Sequence, residues 1–155
     1  KGATAGVGVR FRVATYNLLA EIYATQSQYP TCDFWALSWG YRKNNLLREL
    51  AEAKADILCL QEVQADAYAS HFQPQLAERG YDGLYKSKTR ESMGLVGQVD
   101  GCAMFWNRNK FRVSENYTIE LNECARGAVD AMHLRPGDAQ QFLHRLSKDN
   151  IAQAS

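Results

Sequence analysis

What the chain lacks narrows its roles first. Its 155 residues carry a formal net charge of only +1, so overall charge cannot gather nucleic acid, and any RNA contact has to come from local groups. The four cysteines, Cys32, Cys59, Cys102 and Cys124, form no CxxC pair and have no histidine nearby at zinc spacing, which argues against a structural zinc site. Cys59 and Cys102 fall inside apolar strand patterns, where cysteine behaves as a small hydrophobe, and reduced thiols in an intracellular protein are expected. No apolar run approaches membrane-spanning length, and the first residues lack the charged-then-apolar pattern of a secretory signal. A soluble protein with no membrane contact is expected. Repeats and low-complexity tracts are absent too. What remains is 46% hydrophobic and 11% aromatic, a folded-domain composition in a chain long enough to bury a core.

The stretch from Asp56 to Val63 is the most informative one present. A short apolar run led by the β-formers Ile57 and Val63 and bounded by polar residues predicts a strand covered on both faces, as in layered α/β sandwiches. Glu62 then stands where the strand ends, at the edge where open sheets present ligand-binding groups. A solvated strand end is the plain alternative. A second polar group has a matching setting: Val9, Phe11 and Val13 alternate with polar residues in the period of a strand, and Asn17 closes it. Asparagine forms strands poorly, so it implies a turn or a hydrogen-bonding role. Together, Asn17 and Glu62 at two strand ends could hold a hard cation through oxygen ligands.

Between those strands, Tyr41 to Lys54 predicts an amphipathic helix with Leu46, Leu47, Leu50 and Ala53 on one stripe. A strand, a helix and a second strand build a crossover that makes Asn17 and Glu62 neighbours. A second helix is expected over Asp66 to Arg79, with Tyr68, Phe72 and Leu76 on one face, Pro74 kinking it or opening its last turns, and Gly80 as its stop. Strands are expected at Tyr81 to Lys86, Asp100 to Trp106 and Phe111 to Leu121, the last two joined by a turn at Asn107 to Lys110. Glu91 to Gln98 reads as a glycine-bearing loop. From Cys124 to Leu146 no period emerges, Arg135 to Asp138 marks a turn, and flexibility is expected.

The ordered strings Thr15-Tyr16-Asn17-Leu18-Leu19, Trp39-Gly40-Tyr41-Arg42-Lys43 and Ala55-Asp56-Ile57-Leu58-Cys59-Leu60-Gln61-Glu62-Val63 resemble the motifs of the endonuclease/exonuclease/phosphatase superfamily. Within it, Glu78-Arg79-Gly80-Tyr81-Asp82-Gly83, Lys88-Thr89-Arg90, Val99-Asp100-Gly101-Cys102-Ala103 and Ser147-Lys148-Asp149-Asn150-Ile151 resemble the poly(A)-specific exoribonucleases of the Ccr-Not complex. The resemblance implies a layered α/β sandwich and a magnesium-dependent 3′-exoribonuclease that shortens mRNA poly(A) tails. It implies poly(A) RNA and Ccr-Not subunits as partners, no DNA, and a cytoplasmic location with the nucleus as an alternative. It also implies that residues 1–155 are the N-terminal half of a domain. Family catalytic domains run on to a strand histidine, an Asp-x-Asn motif and a closing Ser-Asp-His motif. None of these occurs here, where His71, His133 and His144 sit in other contexts. The chain alone is therefore expected to be inactive and to expose a sheet face, with Ile151 to Ser155 starting a further strand.

In this reading Glu62 is the magnesium ligand and a catalytic residue. Asn17 either orients its carboxylate or ligates the cation. Lys86, Lys88 and Arg90 form a basic cluster suited to an RNA phosphate, Lys88 being the member that matches the family position for substrate contact. Asp100 either places a carboxylate near the cleft or caps its strand. The Arg42 guanidinium is expected against a carboxylate such as Asp56 or Glu62. For Trp35 and Trp39 core packing is expected over adenine stacking. A phosphatase of the same superfamily and a non-catalytic binding module are the rival readings. The Tyr81-Asp82-Gly83 and Asp100-Gly101-Cys102-Ala103 strings argue against the first; the missing motifs favour the second for this chain alone.

Overall fold

A computed structural model describes residues 8–89 and 99–155. β1 (Val13–Asn17) leads through an irregular stretch to α1 (Phe34–Leu37) and α2 (Trp39–Glu52), and β2 (Ile57–Gln64) returns beside β1. The two strands are parallel, with Asn17 level with Gln61, as a helical crossover requires. In α2 the leucine stripe decides the packing: Leu46, Leu47 and Leu50 are buried while Arg48, Glu49 and Glu52 face solvent.

The second helical stretch has three parts: α3 (Ala65–Ala67), a π-helical turn (Tyr68–Phe72) and α4 (Gln73–Glu78). Proline accounts for the break. Pro74 offers no N–H to the carbonyl four residues earlier and its ring crowds that carbonyl, so the turn ahead of it widens and α4 starts with the proline in its first turn. Gly80, at φ +86°, then reverses the chain into β3 (Tyr81–Ser87), and β4 (Asp100–Asn107) completes a four-stranded sheet of order β1-β2-β4-β3. β4 is antiparallel to both its neighbours. Its Gly101 is obligatory, because a Cβ there would run into the Lys86 backbone of β3.

One face of the sheet carries the core. Leu58, Leu60, Ala103 and Phe105 pack against Leu46, Leu47, Leu50, Phe72 and Leu76 from the helices. Phe72 and Phe105 are 1% exposed, and burying such a ring contributes about 1.5–3 kcal/mol. On the opposite face Ile57, Cys59, Met104 and Trp106 are only half-buried, so β2 is not covered on both faces as its apolar run suggested. The strand expected from Val9 starts only at Val13, which is level with Ile57, the first residue of β2; residues 9–12 have no ladder partner, and Val9 is 88% exposed.

The last third departs most from expectation. Phe111 to Asn116 is not strand: Lys110 and Phe111 both donate backbone N–H groups to the Asn107 carbonyl, and this turn ends pairing with β4. Only β5 (Tyr117–Glu120) is extended, and it pairs antiparallel with β6 (Ile151–Ala154) in a separate two-stranded sheet. Between them the supposedly aperiodic segment folds into α5 (Leu121–Met132) and α6 (Pro136–Leu146). α5 buries Ala125 and Val129, four residues apart. The 135–138 turn signal is in fact a helix start, with Pro136 in the first turn, Asp138 at the positive end of the dipole and His144 and Arg145 at the negative end. His133, at φ +49°, separates the two helices. No helix of the described residues is long and apolar enough to cross a membrane.

Candidate metal centre

Glu62 does not stand at a strand end. β2 runs on to Gln64, and its pairing with β4 is irregular between Leu60 and Val63. Leu60 and Val63 are both 1% exposed, although three residues apart in a regular strand would point to opposite faces. The irregularity is a bulge that slips the alternation by one residue. Glu62 takes up the slip with φ +53°, and its side chain leaves the core for the strand edge beside β1.

Neutral donors hold the carboxylate there. Asn17 Nδ2 donates to Glu62 Oε1 at 2.7 Å and the Ala20 amide donates to Oε2 at 3.3 Å. Asn17 Oδ1 accepts the Leu19 amide at 2.9 Å. With its amide nitrogen turned to Glu62, Asn17 orients the carboxylate, which of its two expected roles is the one this geometry fits. Among the described residues the Arg42 guanidinium pairs with no carboxylate, contrary to expectation. Its Nη2 donates to the Leu18 carbonyl at 2.6 Å and also to the Leu19 carbonyl. Burial draws the Arg42 pKa below its ordinary value, against the opposing pull of Glu21 and Glu62.

Among the described residues no three His, Cys, Asp and Glu side chains gather as a metal site. A single carboxylate still fits magnesium, which is commonly held by one or two carboxylates together with water and substrate phosphate. Among the described residues each Glu62 oxygen accepts one N–H bond, and a carboxylate has about four lone-pair sites, so oxygen lone pairs remain for a hard cation.

Farther along β2, the loop after β1 reaches a second polar group. The Ile22 amide donates to Gln64 Oε1 at 2.9 Å, and Tyr23 Oη donates to Asp100 Oδ1 at 2.8 Å. Asp100 is 1% exposed; its Oδ2 lies 2.7 Å from Lys88 Nζ, and that ammonium sits 5.7 Å from the Tyr23 ring centre. Asp100 therefore anchors Lys88. Lys86 pairs with Glu120 at 2.9 Å, and Thr89 and Lys86 hold the Glu120 carboxyl below its ordinary pKa. The expected basic cluster thus has carboxylate partners at two of its positions. Arg90 and the loop Glu91 to Gln98 lie outside the described residues.

The sequence reading missed the loop from Leu18 to Tyr23, which touches Glu62, Gln64 and Asp100 in turn. No periodicity could reveal it; the buried polar Gln64, 5% exposed, is a signal only once the strand is known. Trp39 packs edge-on to Phe72, ring centres 5.9 Å apart, as expected of a core residue. Trp35, also expected in the core, is instead 50% exposed and leans edge-on against Tyr41 at 5.0 Å, because the short helix that carries it buries no residue.

Residues 14–146 match the model of the Endonuclease/Exonuclease/phosphatase family. The chain is 43% identical over 143 residues to carbon catabolite repressor protein 4 homolog 1 of Arabidopsis thaliana, an alignment covering 92% of this chain and 24% of that protein. It is 38% identical over 147 residues to CCR4-NOT transcription complex subunit 6-like-A of Xenopus laevis, covering 92% and 26%. Among solved structures it is similar to ANGEL2, a 2′,3′-cyclic phosphatase, at 33% identity and a TM-score of 0.64, over 72% of this chain and 31% of that one. The chain thus spans about a quarter of the length of the curated relatives it matches.

Proposed function

Because the chain belongs to the endonuclease/exonuclease/phosphatase family and has an α/β fold of that type, we propose that it is the N-terminal half, residues 1–155, of a magnesium-dependent 3′-exoribonuclease domain that shortens poly(A) tails. The observation that carries the chemistry is Glu62, pushed out of β2 by a bulge and held by two neutral N–H donors. The 43% identity to a carbon catabolite repressor protein 4 homolog supports the choice of substrate class. A divalent cation at Glu62 would polarise the scissile phosphate and stabilise charge on the leaving oxygen.

The chain's own residues divide the remaining work. Asn17 fixes the Glu62 carboxylate. Asp100, braced by Tyr23, presents the Lys88 ammonium to an RNA phosphate, with Arg90 as a further phosphate contact. Poly(A) RNA is the substrate, a CCR4-NOT-type complex is the assembly, as the Xenopus relative's name supports, and the cytoplasm is the site of action. The 155 residues alone are inactive in this reading, since Glu62 is a single carboxylate and groups that act as a unit lose nearly everything when several are absent.

One observation favours a second reading, a phosphatase acting on RNA ends: ANGEL2, at 33% identity, is described as a 2′,3′-cyclic phosphatase. A protein carrying the complete domain would be given labelled oligo(A) ending in a 3′-hydroxyl or in a 2′,3′-cyclic phosphate. Stepwise, magnesium-dependent shortening of the hydroxyl-ended substrate is expected, abolished by chelator. Opening of the cyclic end without shortening would replace the nuclease by the phosphatase, and binding without turnover of either would leave a non-catalytic module.

A further inference from the structure

Leu19 and Glu62 share an uncommon backbone conformation, at φ +53° each, and the loop between them and α2 is organised by one side chain. In a trans peptide the C=O and the N–H of the same plane point in opposite directions. The plane joining Leu18 to Leu19 offers its carbonyl to Arg42 Nη2 and its N–H to Asn17 Oδ1. The next plane, joining Leu19 to Ala20, offers its carbonyl to the same Nη2 and its N–H to Glu62 Oε2. One guanidinium nitrogen therefore sets the direction of both amides that hold Asn17 and Glu62. A left-handed leucine is unfavourable by itself, so the turn needs that outside hold. Arg42 Nη1, buried without a hydrogen-bond partner among the described residues, shows that the side chain is committed to this pocket and not to solvent.

We propose that Arg42 is the positioning residue of the cation site: by gripping the Leu18 and Leu19 carbonyls it aims the Leu19 and Ala20 amides, which fix the Asn17 amide and the Glu62 carboxylate for a divalent cation. This rests on the reading of Glu62 as a metal ligand. Arg42 touches neither cation nor substrate. Lysine keeps the charge but is a single point donor without the planar fork, so it restores the grip only in part.

The test uses the 155-residue chain and Mn²⁺ as probe, read by paramagnetic broadening of backbone amide signals in the wild type, Arg42→Gln, Arg42→Lys and Glu62→Gln. In the wild type, broadening should centre on Asn17, Ala20 and Glu62 and saturate. In Arg42→Gln the half-saturating Mn²⁺ concentration should rise on the order of tenfold, the size of effect typical for partners that orient a ligand, and the metal-free Ala20 amide signal should move. Arg42→Lys should fall between, and Glu62→Gln should lose the site. Unchanged signals from β3 and β4 report a surviving fold. A folded Arg42→Gln or Arg42→Lys with the wild-type half-point overturns the positioning role while leaving the metal reading intact. Unfolding of both variants also overturns it, since Arg42 would then support the fold at large. Absence of localised broadening in the wild type overturns the metal reading itself.

Discussion

Two carboxylates bracket the same strand and live in opposite surroundings. Asp56, just ahead of β2, accepts from Lys110 Nζ at 2.6 Å and from the Arg12 amide at 2.9 Å, and Lys110 above all draws its pKa below the ordinary aspartate value. Glu62, near the other end, accepts among the described residues only from an asparagine amide and a backbone N–H. At one end the charge is neutralised by the chain itself; at the other it is oriented and left with no ion pair among the described residues. A carboxylate that already has its cation serves the fold, and one held in place by neutral donors keeps its charge uncompensated, as the proposed cation site requires. Asp100, buried against Lys88, belongs with Asp56 in this respect.

The sharpest way to break the contrast is Glu62→Gln in a protein carrying the whole domain. Turnover of oligo(A) should fall roughly 100- to 1,000-fold, the usual cost of removing one electrostatic contributor, while the melting temperature stays within a few degrees because no packing is lost. Near-normal turnover at saturating magnesium would place Glu62 with the structural carboxylates. Next in size is Lys88→Ala. It strands a buried carboxylate, at a cost of about 3 kcal/mol, and Asp100→Asn in the same chain should recover most of that in denaturant unfolding. For RNA, binding of oligo(A) and oligo(U) should weaken alike and the salt slope should fall by about one; a lost adenine preference at constant slope would mean that Lys88 reads bases.

The smallest effect is a pH dependence at Asp56. Its folded pKa is depressed, so the pairing contributes stability above the unfolded value of about 3.9, and that contribution is lost as pH falls through the lower folded value. Lys110→Met should therefore lower the melting temperature at neutral pH, and the gap to wild type should close as the solution is acidified below about pH 4. A gap that persists at acid pH would show that Lys110 acts through packing and not through charge.

Much of this was legible where apolar spacing ruled. The leucine stripe of α2, the parallel pairing of β1 with β2, the stop at Gly80 and the strand at Ile151 all came from periodicity, punctuation or family likeness. The nearness of Asn17 to Glu62 follows from the crossover that sets β1 beside β2, although Glu62 lies at a bulge and not at the end of its strand. What failed did so for identifiable reasons. α5 buries only Ala125 and Val129 and α6 buries no residue, stripes too thin to register beside a proline and a glycine that look like a turn but open a helix. For Arg42, charge suggests a carboxylate partner, whereas the Leu18 and Leu19 carbonyls accept its hydrogen bonds. Lys86 and Lys88 read as an open basic cluster because their partners, Glu120 and Asp100, are 34 and 12 residues away in sequence.

The slip in β2 has a meaning for anyone reading letters instead of coordinates. Leu58 and Leu60 point inward, so an unbroken alternation would send Glu62 inward as well, and an unpaired carboxylate in an apolar core is too costly for a folded domain to keep. The string therefore contradicts itself unless one residue is surplus. Such a parity error, an ionisable letter on the inward beat of an otherwise apolar strand, is a searchable mark: it says that the strand must skip a beat there, and that the skipped residue has been put outside for some purpose other than packing.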